Sequence, residues 1–235
     1  MRTGRKHADK DGEERRKRFG QLLLAIIAAF AIQGVAEPGR WEQFVVSVLL
    51  TVTLLLALWV AEARPRVMRA LASVGAVLVL VSLVGAISGD ASGTAARLAN
   101  LLLVVLAPPA IVVGVLRTVR ARSQVTIEAV FGVLCLYLLL GMFFAALYGV
   151  IGHADGTFFA SGVETTISRC LYFSFTTLTT VGYGDLTANS NLGHTLAASE
   201  ALLGQIYLVT IVSVIVGNLG RSRAQVSKPP QPKAG

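Results

Sequence analysis

Residues 176–185 read T-T-L-T-T-V-G-Y-G-D, and this stretch is the most informative part of the sequence for predicting the fold. It ends a short apolar segment, about 163–178, which is too short to cross a bilayer and lies between two long apolar segments. Irregular backbone at membrane depth is tolerated only where it is buried in protein or lines a water-filled path. Gly182 and Gly184 permit backbone dihedrals that a residue with a Cβ resists. The stretch therefore predicts a re-entrant segment.

The composition of the whole chain indicates a membrane protein. Of its 235 residues, 54% are hydrophobic and 14% are charged, whereas a soluble domain carries about a quarter charged residues. The charges fall in clusters between long uncharged runs, which is typical of membrane-spanning segments. The candidate spans are 19–36, 43–61, 70–88, 97–116, 125–151 and 192–220.

The positions of the basic residues predict the orientation of these spans. With the N-terminus inside, 18 of the 21 lysine and arginine residues lie on the inner side, and Arg40, Arg97 and Arg169 remain outside. Such an excess is typical of cytoplasmic loops. We therefore expect a multi-pass protein of the cell membrane with both termini cytoplasmic. Its basic clusters would meet anionic lipids rather than nucleic acid.

The two ends of the chain are polar, so we expect residues 1–18 and 224–235 to be mobile tails. One alternative concerns the beginning, because Arg15–Arg18 and the apolar core that follows also resemble a cleavable signal peptide. Retention of residues 19–36 is favoured, since the second span would otherwise lose its hairpin partner. The charge distribution is compatible with both interpretations.

The motif T-V-G-Y-G-D at 180–185 resembles the selectivity filter of potassium channels, whose carbonyl oxygens replace the hydration shell of the ion. The resemblance implies an all-α membrane protein with six transmembrane helices, a re-entrant pore helix and an extended selectivity filter. Only one such segment exists here, and one strand cannot surround an ion, so the family implies a homotetrameric pore. The implied parts are a basic tail (1–18), a four-span domain (19–117), a pore domain (118–223) and a second tail (224–235).

Within the pore domain the resemblance assigns an outer helix (125–151), a pore helix (165–177), the filter (180–185) and an inner helix (192–220). The ion-binding residues would be Thr180, Val181, Gly182, Tyr183 and Gly184. Potassium ions would be bound by the backbone carbonyls of 180–183 and the Thr180 hydroxyl, with no other cofactor. Asp185 would lie at the outer mouth. Expected filter-supporting residues are Thr176, Thr177, Thr179 and Glu200.

Two residues of the last span have alternative interpretations. Glu200 is the only acid well inside a span, where a carboxylate is costly. We expect it to face a pore-helix hydroxyl (Ser174, Thr176 or Thr177) and brace the filter, and proton sensing is the alternative. Gly204 lies where the family commonly places a hinge, and a small residue for close helix packing is the alternative.

The chain also departs from well-studied relatives behind the filter. Phe173 and Thr176 stand where many relatives carry a hydrogen-bonding aromatic residue and a glutamate. Phe173 cannot donate a hydrogen bond to Tyr183. Tyr172 or Ser174 could take that role, which leaves inactivation at the filter open.

The fourth span lacks the arginines of a voltage sensor. No basic residue lies between Arg97 and Arg117, and Pro108-Pro109 should kink the helix. Arg117, Arg120 and Arg122 sit at its cytoplasmic edge, where anchoring explains them. We therefore expect little intrinsic voltage dependence, and no ligand-binding domain in the short C-terminal tail.

Other classes of function fit the residue inventory less well. His7, His153 and His194 are far apart in sequence, and Cys135 and Cys170 lie in apolar segments. No nucleophile is paired with a base, so an enzyme is not expected. A non-conducting subunit that keeps the pore fold and a poorly selective cation channel stay open as alternatives.

Overall fold

The computed structural model describes residues 2–35, 41–61, 63–88, 93–122 and 127–226. Seven helices follow one another along the chain in these ranges. They are α1 (Arg2–Val35), α2 (Glu42–Val60), α3 (Pro65–Ser88), α4 (Gly93–Arg122), α5 (Ile127–Ala154), α6 (Ile167–Leu178) and α7 (Asn191–Val226). The described residues form no β-strand beyond one isolated bridge between Phe159 and Ala188. The predicted all-α class is confirmed.

Four of the helices are long and apolar enough to cross a membrane, judged within the described part of the chain. The apolar spans are Arg16–Val35, Glu42–Val60, Pro65–Ile87 and Val130–Ala154. In α4 the apolar stretch Arg97–Val113 is shorter than a full span. The expected six crossings are therefore supported for four helices, and the roles of α4 and α7 as spans stay predictions.

The first helix is longer than the sequence suggested. It begins at Arg2, so residues 2–18 continue the helix rather than forming the mobile tail that we expected. Lysine, arginine and glutamate are good helix formers, and a helix already nucleated in its apolar part extends at little cost. Arg18 and Glu14 form an ion pair one turn apart (3.6 Å), and the Arg18 guanidinium lies 4.4 Å from the centre of the Trp59 ring.

Helices α1, α2 and α4 surround the amino-terminal part of the core, and α1 and α4 also pack on α5. The shared core contains Leu22 and Ile26 of α1, Leu54 of α2, Leu103 of α4 and Leu139 of α5, all fully buried. Helix α3 contacts α2 and α4 and keeps several large apolar side chains exposed. An apolar outer face of this kind suits contact with lipid.

Helix α1 also contacts α6 directly. The Ser168 hydroxyl donates to the Gly34 carbonyl (2.7 Å), and the rings of Phe30 and Phe175 meet edge to face at 4.6 Å. Residues 19–35 are thus packed into the body of the protein. Their retention in the mature protein stays a prediction.

Candidate functional site

The short helix before the motif begins and ends for identifiable reasons. Thr166 has an extended conformation (ψ 159°), and its side chain accepts a hydrogen bond from the Arg169 N–H (3.2 Å), which makes it the N-cap. The helix runs from Ile167 to Leu178, close to the predicted 165–177. Its twelve residues span roughly 18 Å at about 1.5 Å each. It therefore reaches partway through a bilayer.

The motif itself adopts an alternating backbone. Positive φ angles occur at Thr180 (59°), Gly182 (52°) and Gly184 (80°), with residues 181 and 183 between them in ordinary regions. Alternation of left-handed and right-handed dihedrals turns successive carbonyls towards the same side of the strand. Glycine adopts this region freely, whereas for Thr180 it is a strained conformation.

One carbonyl near the end of α6 anchors the turn into the motif. The Thr176 carbonyl accepts hydrogen bonds from the N–H groups of Val181 (2.8 Å) and Gly182 (3.1 Å). The Thr177 carbonyl accepts from the N–H of Thr180 (2.9 Å). These hydrogen bonds engage the N–H groups of residues 180–182, which therefore point back towards α6. Among the described residues, no backbone hydrogen bond ends on the carbonyls of 180–184, which leaves those oxygens available to a cation.

The predicted supporting threonines act in a different way from the one their side chains suggested. The Thr176 hydroxyl donates to the Phe173 carbonyl (3.0 Å) and the Thr179 hydroxyl to the Phe175 carbonyl (2.6 Å). Both hydroxyls therefore bond back to carbonyls one turn earlier in the chain. Support for the filter from Thr176 and Thr177 comes through their backbone carbonyls.

The aromatic residue at the outer end of the filter has a partner on the pore helix. The rings of Tyr172 and Tyr183 are stacked, with centroids 6.3 Å apart and planes 5° from parallel. The Tyr172 side chain also interacts with Asp185. Tyr172 therefore contacts Tyr183 by ring stacking, and its role in supporting the filter stays a prediction.

Hydrogen bonds join the loop before α6 to the segment that follows the motif. The Ala160 N–H donates to the Thr187 carbonyl, and the Asn189 N–H donates to the Phe158 carbonyl, each at 2.9 Å. The His194 ring nitrogen Nε2 lies 2.8 Å from the Ala188 carbonyl. These bonds fix the chain that leaves the filter to the loop that precedes the pore helix. No local sequence signal indicated this connection.

Glu200 lies in a closed polar cluster between three helices. It is fully buried, and the Tyr148 hydroxyl donates to its Oε2 (2.6 Å). Its Oε1 lies 2.5 Å from the Ser174 hydroxyl oxygen, which is also 2.7 Å from the Gly141 carbonyl. Glu200 therefore joins α7 to α5 and to the pore helix. Ser174 was among its expected partners, whereas Tyr148 was missed.

Gly204 of α7 packs tightly against the end of α6. A Cβ built at Gly204 would lie 2.4 Å from the Leu178 carbonyl oxygen and 2.8 Å from Leu178 Cδ1. Helix α7 runs unbroken through this position. The geometry supports the close-packing interpretation, and the hinge remains a prediction. One turn further, the Tyr207 hydroxyl donates to the Val133 carbonyl of α5 (2.5 Å).

Arg97 was expected among the charges of the outer loops, but the structure places it inside helix α4, half-buried against the pore domain. Its Nη1 donates to the carbonyls of Gly149 (3.3 Å) and Thr165 (3.4 Å). It therefore links α4 to the end of α5 and to the residue before the N-cap of the pore helix. Position 97 opens an apolar run in the sequence, which gave no signal of this contact.

The described residues contain no cluster of His, Cys, Asp or Glu that could bind a metal ion. The oxygens that the motif itself offers to a cation are the backbone carbonyls of 180–184 and the Thr180 hydroxyl. Such neutral oxygens suit a hard, weakly polarising cation rather than a transition metal.

Comparison with protein families finds a match over residues 132–220, to the family model described as Ion channel. Comparison with curated proteins and with solved structures finds none. The matched range contains most of α5, the helix α6, the motif at 180–185 and most of α7. Across these residues the chain is therefore similar to ion channels, in agreement with the resemblance that the motif indicated.

Proposed function

We propose that this protein is a potassium-selective channel subunit that conducts K⁺ passively across the membrane. The observation that carries the proposal is the alternating backbone of residues 180–184, whose carbonyls accept no backbone hydrogen bond from the described residues. A dehydrating ion needs closely spaced oxygens, and such a strand supplies neutral ones without the tight binding of carboxylates. The ion-binding groups proposed are the carbonyls of 180–183 and the Thr180 hydroxyl.

Two electrostatic features favour a cation at this position. Pore helix α6 ends at Leu178 beside the filter, and the carboxyl end of a helix carries partial negative charge. Asp185 lies exposed just beyond the filter, where it concentrates cations near the mouth. These features raise the local cation concentration, and discrimination between K⁺ and Na⁺ is assigned to the carbonyl strand.

The proposed assembly is a homotetramer around the filter. A single strand cannot surround an ion, and in the isolated subunit the Val181 and Tyr183 side chains are 53% and 72% exposed. Helix α7 also exposes a row of apolar residues at helical spacing, which are Leu202, Ile206 and Val209. Apolar surface of this kind next to the filter fits contact with neighbouring copies and the cavity below them.

We further propose that both termini lie in the cytoplasm of a cell-membrane channel that contacts anionic lipids. Arg64 just before α3, and Arg66 and Arg69 at the start of α3, are exposed on the side that the positive-inside rule assigns to the cytoplasm. The four amino-terminal helices then form a domain without a voltage sensor. Helix α4 contains Pro108 and Pro109 and no basic residue in its apolar stretch after Arg97.

Potassium flux into liposomes, measured with wild type and a matched pair of glycine variants, tests the proposal. Gly182 and Gly162 both have positive φ (52° and 71°) and open space around a built Cβ, but only Gly182 lies in the filter. Alanine in this region costs roughly 1–2 kcal/mol at either site. We expect Gly182→Ala to abolish barium-sensitive K⁺ flux and Gly162→Ala to retain it.

Reversal potentials in mixed K⁺ and Na⁺ separate the remaining functions. A potassium channel follows the K⁺ gradient, and a poorly selective cation channel gives a reversal potential near zero in symmetric total cation. A non-conducting subunit gives no current in wild type. Equal flux through wild type and Gly182→Ala would show that residues 180–184 do not form the conduction path.

A further inference from the structure

The polar cluster around Glu200 contains more short oxygen contacts than its hydroxyl groups can supply with protons. Three contacts are present: Tyr148 with Glu200, Glu200 with Ser174, and Ser174 with the Gly141 carbonyl. Tyrosine and serine hydroxyls carry one proton each. Three hydrogen bonds need three protons, so the hydroxyls leave one contact without a proton.

The identity of the acceptors shows where the third proton sits. The Gly141 carbonyl only accepts, so the Ser174 hydroxyl donates its proton to that oxygen at 2.7 Å. The Tyr148 hydroxyl donates to Glu200 Oε2. The remaining contact, between Glu200 Oε1 and Ser174, then joins two oxygens that repel unless Glu200 itself supplies a proton. A protonated Glu200 donating to Ser174 satisfies all three.

Burial of Glu200 favours the same protonation state. Its side chain is fully buried, and the groups that contact its carboxyl oxygens are the neutral hydroxyls of Tyr148 and Ser174. An ionised carboxylate buried without a cation is costly, whereas the acid form is neutral. No positive charge in this part of the chain offsets the ionised form.

The titratable groups around Glu200 are neutral hydroxyls and thiols. Helix α5 contributes Tyr148 in direct contact and Tyr137 within electrostatic reach. Helix α6 contributes Cys170, which lies within electrostatic reach of Tyr148. On α7 the nearest titratable side chains are His194 and Tyr207, each about two turns away along the helix.

We propose that Glu200 holds a proton at neutral pH and that this proton fastens the inner helix α7 to the pore helix through Ser174. Loss of the proton at alkaline pH leaves Ser174 two acceptors for its single proton. One contact then breaks, either between Glu200 and Ser174 or between Ser174 and Gly141. The contact between α7 and the pore helix behind the filter weakens as a result. This effect on conduction rests on the proposed channel function, whereas the presence of the proton does not.

Infrared difference spectroscopy of the whole protein against Glu200→Gln tests the proton directly. Glutamine keeps the shape and every bond, because its amide nitrogen donates to Ser174 and its oxygen accepts from Tyr148. We expect wild type at neutral pH to show a carboxylic acid carbonyl band that Glu200→Gln lacks. Tyr148→Phe removes the donor to Oε2, so that band should move to higher frequency and identify the residue.

Potassium flux measured over the same pH series tests the consequence. In wild type we expect the acid band to disappear at alkaline pH and flux to fall by roughly fivefold, the effect of losing about one buried hydrogen bond. Glu200→Gln should keep its neutral-pH flux throughout. A carboxylate band in wild type at neutral pH, or identical flux–pH profiles for wild type and Glu200→Gln, would overturn the inference. An acid band without any K⁺ flux in either protein would instead refute the channel function.

Discussion

Substitution of Gly204 by alanine separates close packing from hinge bending at the inner helix. The added Cβ would lie 2.4 Å from the Leu178 carbonyl oxygen, about 1 Å short of an ordinary contact of 3.4 Å. The neighbour is backbone, so no side chain can rotate away. Leu178 ends the pore helix two residues before Thr180. The helices must therefore separate, and the displacement reaches the start of the filter.

Two opposing effects set the size of the change. Overpacking a tight interface costs about 1–3 kcal/mol, whereas alanine in place of glycine within a helix contributes up to about 1 kcal/mol in stability. The net expectation is a loss of roughly 1–2 kcal/mol in the free energy of unfolding. Gly20→Ala is the matched control, because the nearest atom to its built Cβ belongs to Phe131 at 4.0 Å. That variant should be as stable as wild type or more so.

Denaturant unfolding in detergent, combined with K⁺ flux in liposomes, distinguishes the two roles of Gly204. Close packing predicts that Gly204→Ala loses stability and flux together, while Gly20→Ala loses neither. A hinge predicts reduced flux with stability unchanged or increased, since alanine stiffens the helix. A Gly204→Ala protein that is as stable as Gly20→Ala would refute the packing argument.

Three further predictions concern the surroundings of the filter. Tyr172→Phe keeps the stacked ring but removes the hydroxyl that interacts with Asp185, so we expect normal expression with K⁺ over Na⁺ selectivity weakened or less persistent in reversal-potential recordings; unchanged selectivity would contradict a bracing role. Arg97→Gln should lower the free energy of unfolding by about 1–3 kcal/mol, because the buried carbonyls it contacts lose their donor, whereas the exposed Arg169→Gln should change it by less than about 0.5 kcal/mol. Planar-bilayer recordings should show little voltage dependence of opening, since each gating charge contributes about 2.3 kcal/mol per 100 mV; steep activation would refute the absence of a sensor.

The helix before the motif and the backbone conformation of the motif could be predicted from the sequence because their determinants are local. The apolar segment before the motif is too short to span, and the glycines at 182 and 184 permit positive φ, which the structure shows at both. Observed helix boundaries differ from the predicted ones by only a few residues: Ile127–Ala154 against 125–151, and Ile167–Leu178 against 165–177. The start of α7 at Asn191 likewise agrees with the predicted 192.

The remaining features depend on tertiary contacts that no local pattern contains. Tyr148 lies 52 positions from Glu200 in the sequence, in an apolar run that suggested only a span. The left-handed conformation of Thr180 runs against its intrinsic preference and is imposed by the hydrogen bonds around the Thr176 and Thr177 carbonyls. Arg97 was interpreted as a loop charge because its acceptor carbonyls, in α5 and before α6, lie more than 50 positions away in the sequence. Helical continuation of residues 2–18 was missed because polar composition alone suggested a tail.

The contact between Gly34 and Ser168 bears on how the protein is made. It joins positions 134 residues apart, so the first helix leaves the ribosome long before its partner exists. Contacts of such separation form late, since the intervening chain must first be ordered. During synthesis the first helix therefore inserts with one flank uncovered. Nascent chains that stop before the pore helix should be short-lived targets for membrane proteases, whereas completed chains are shielded.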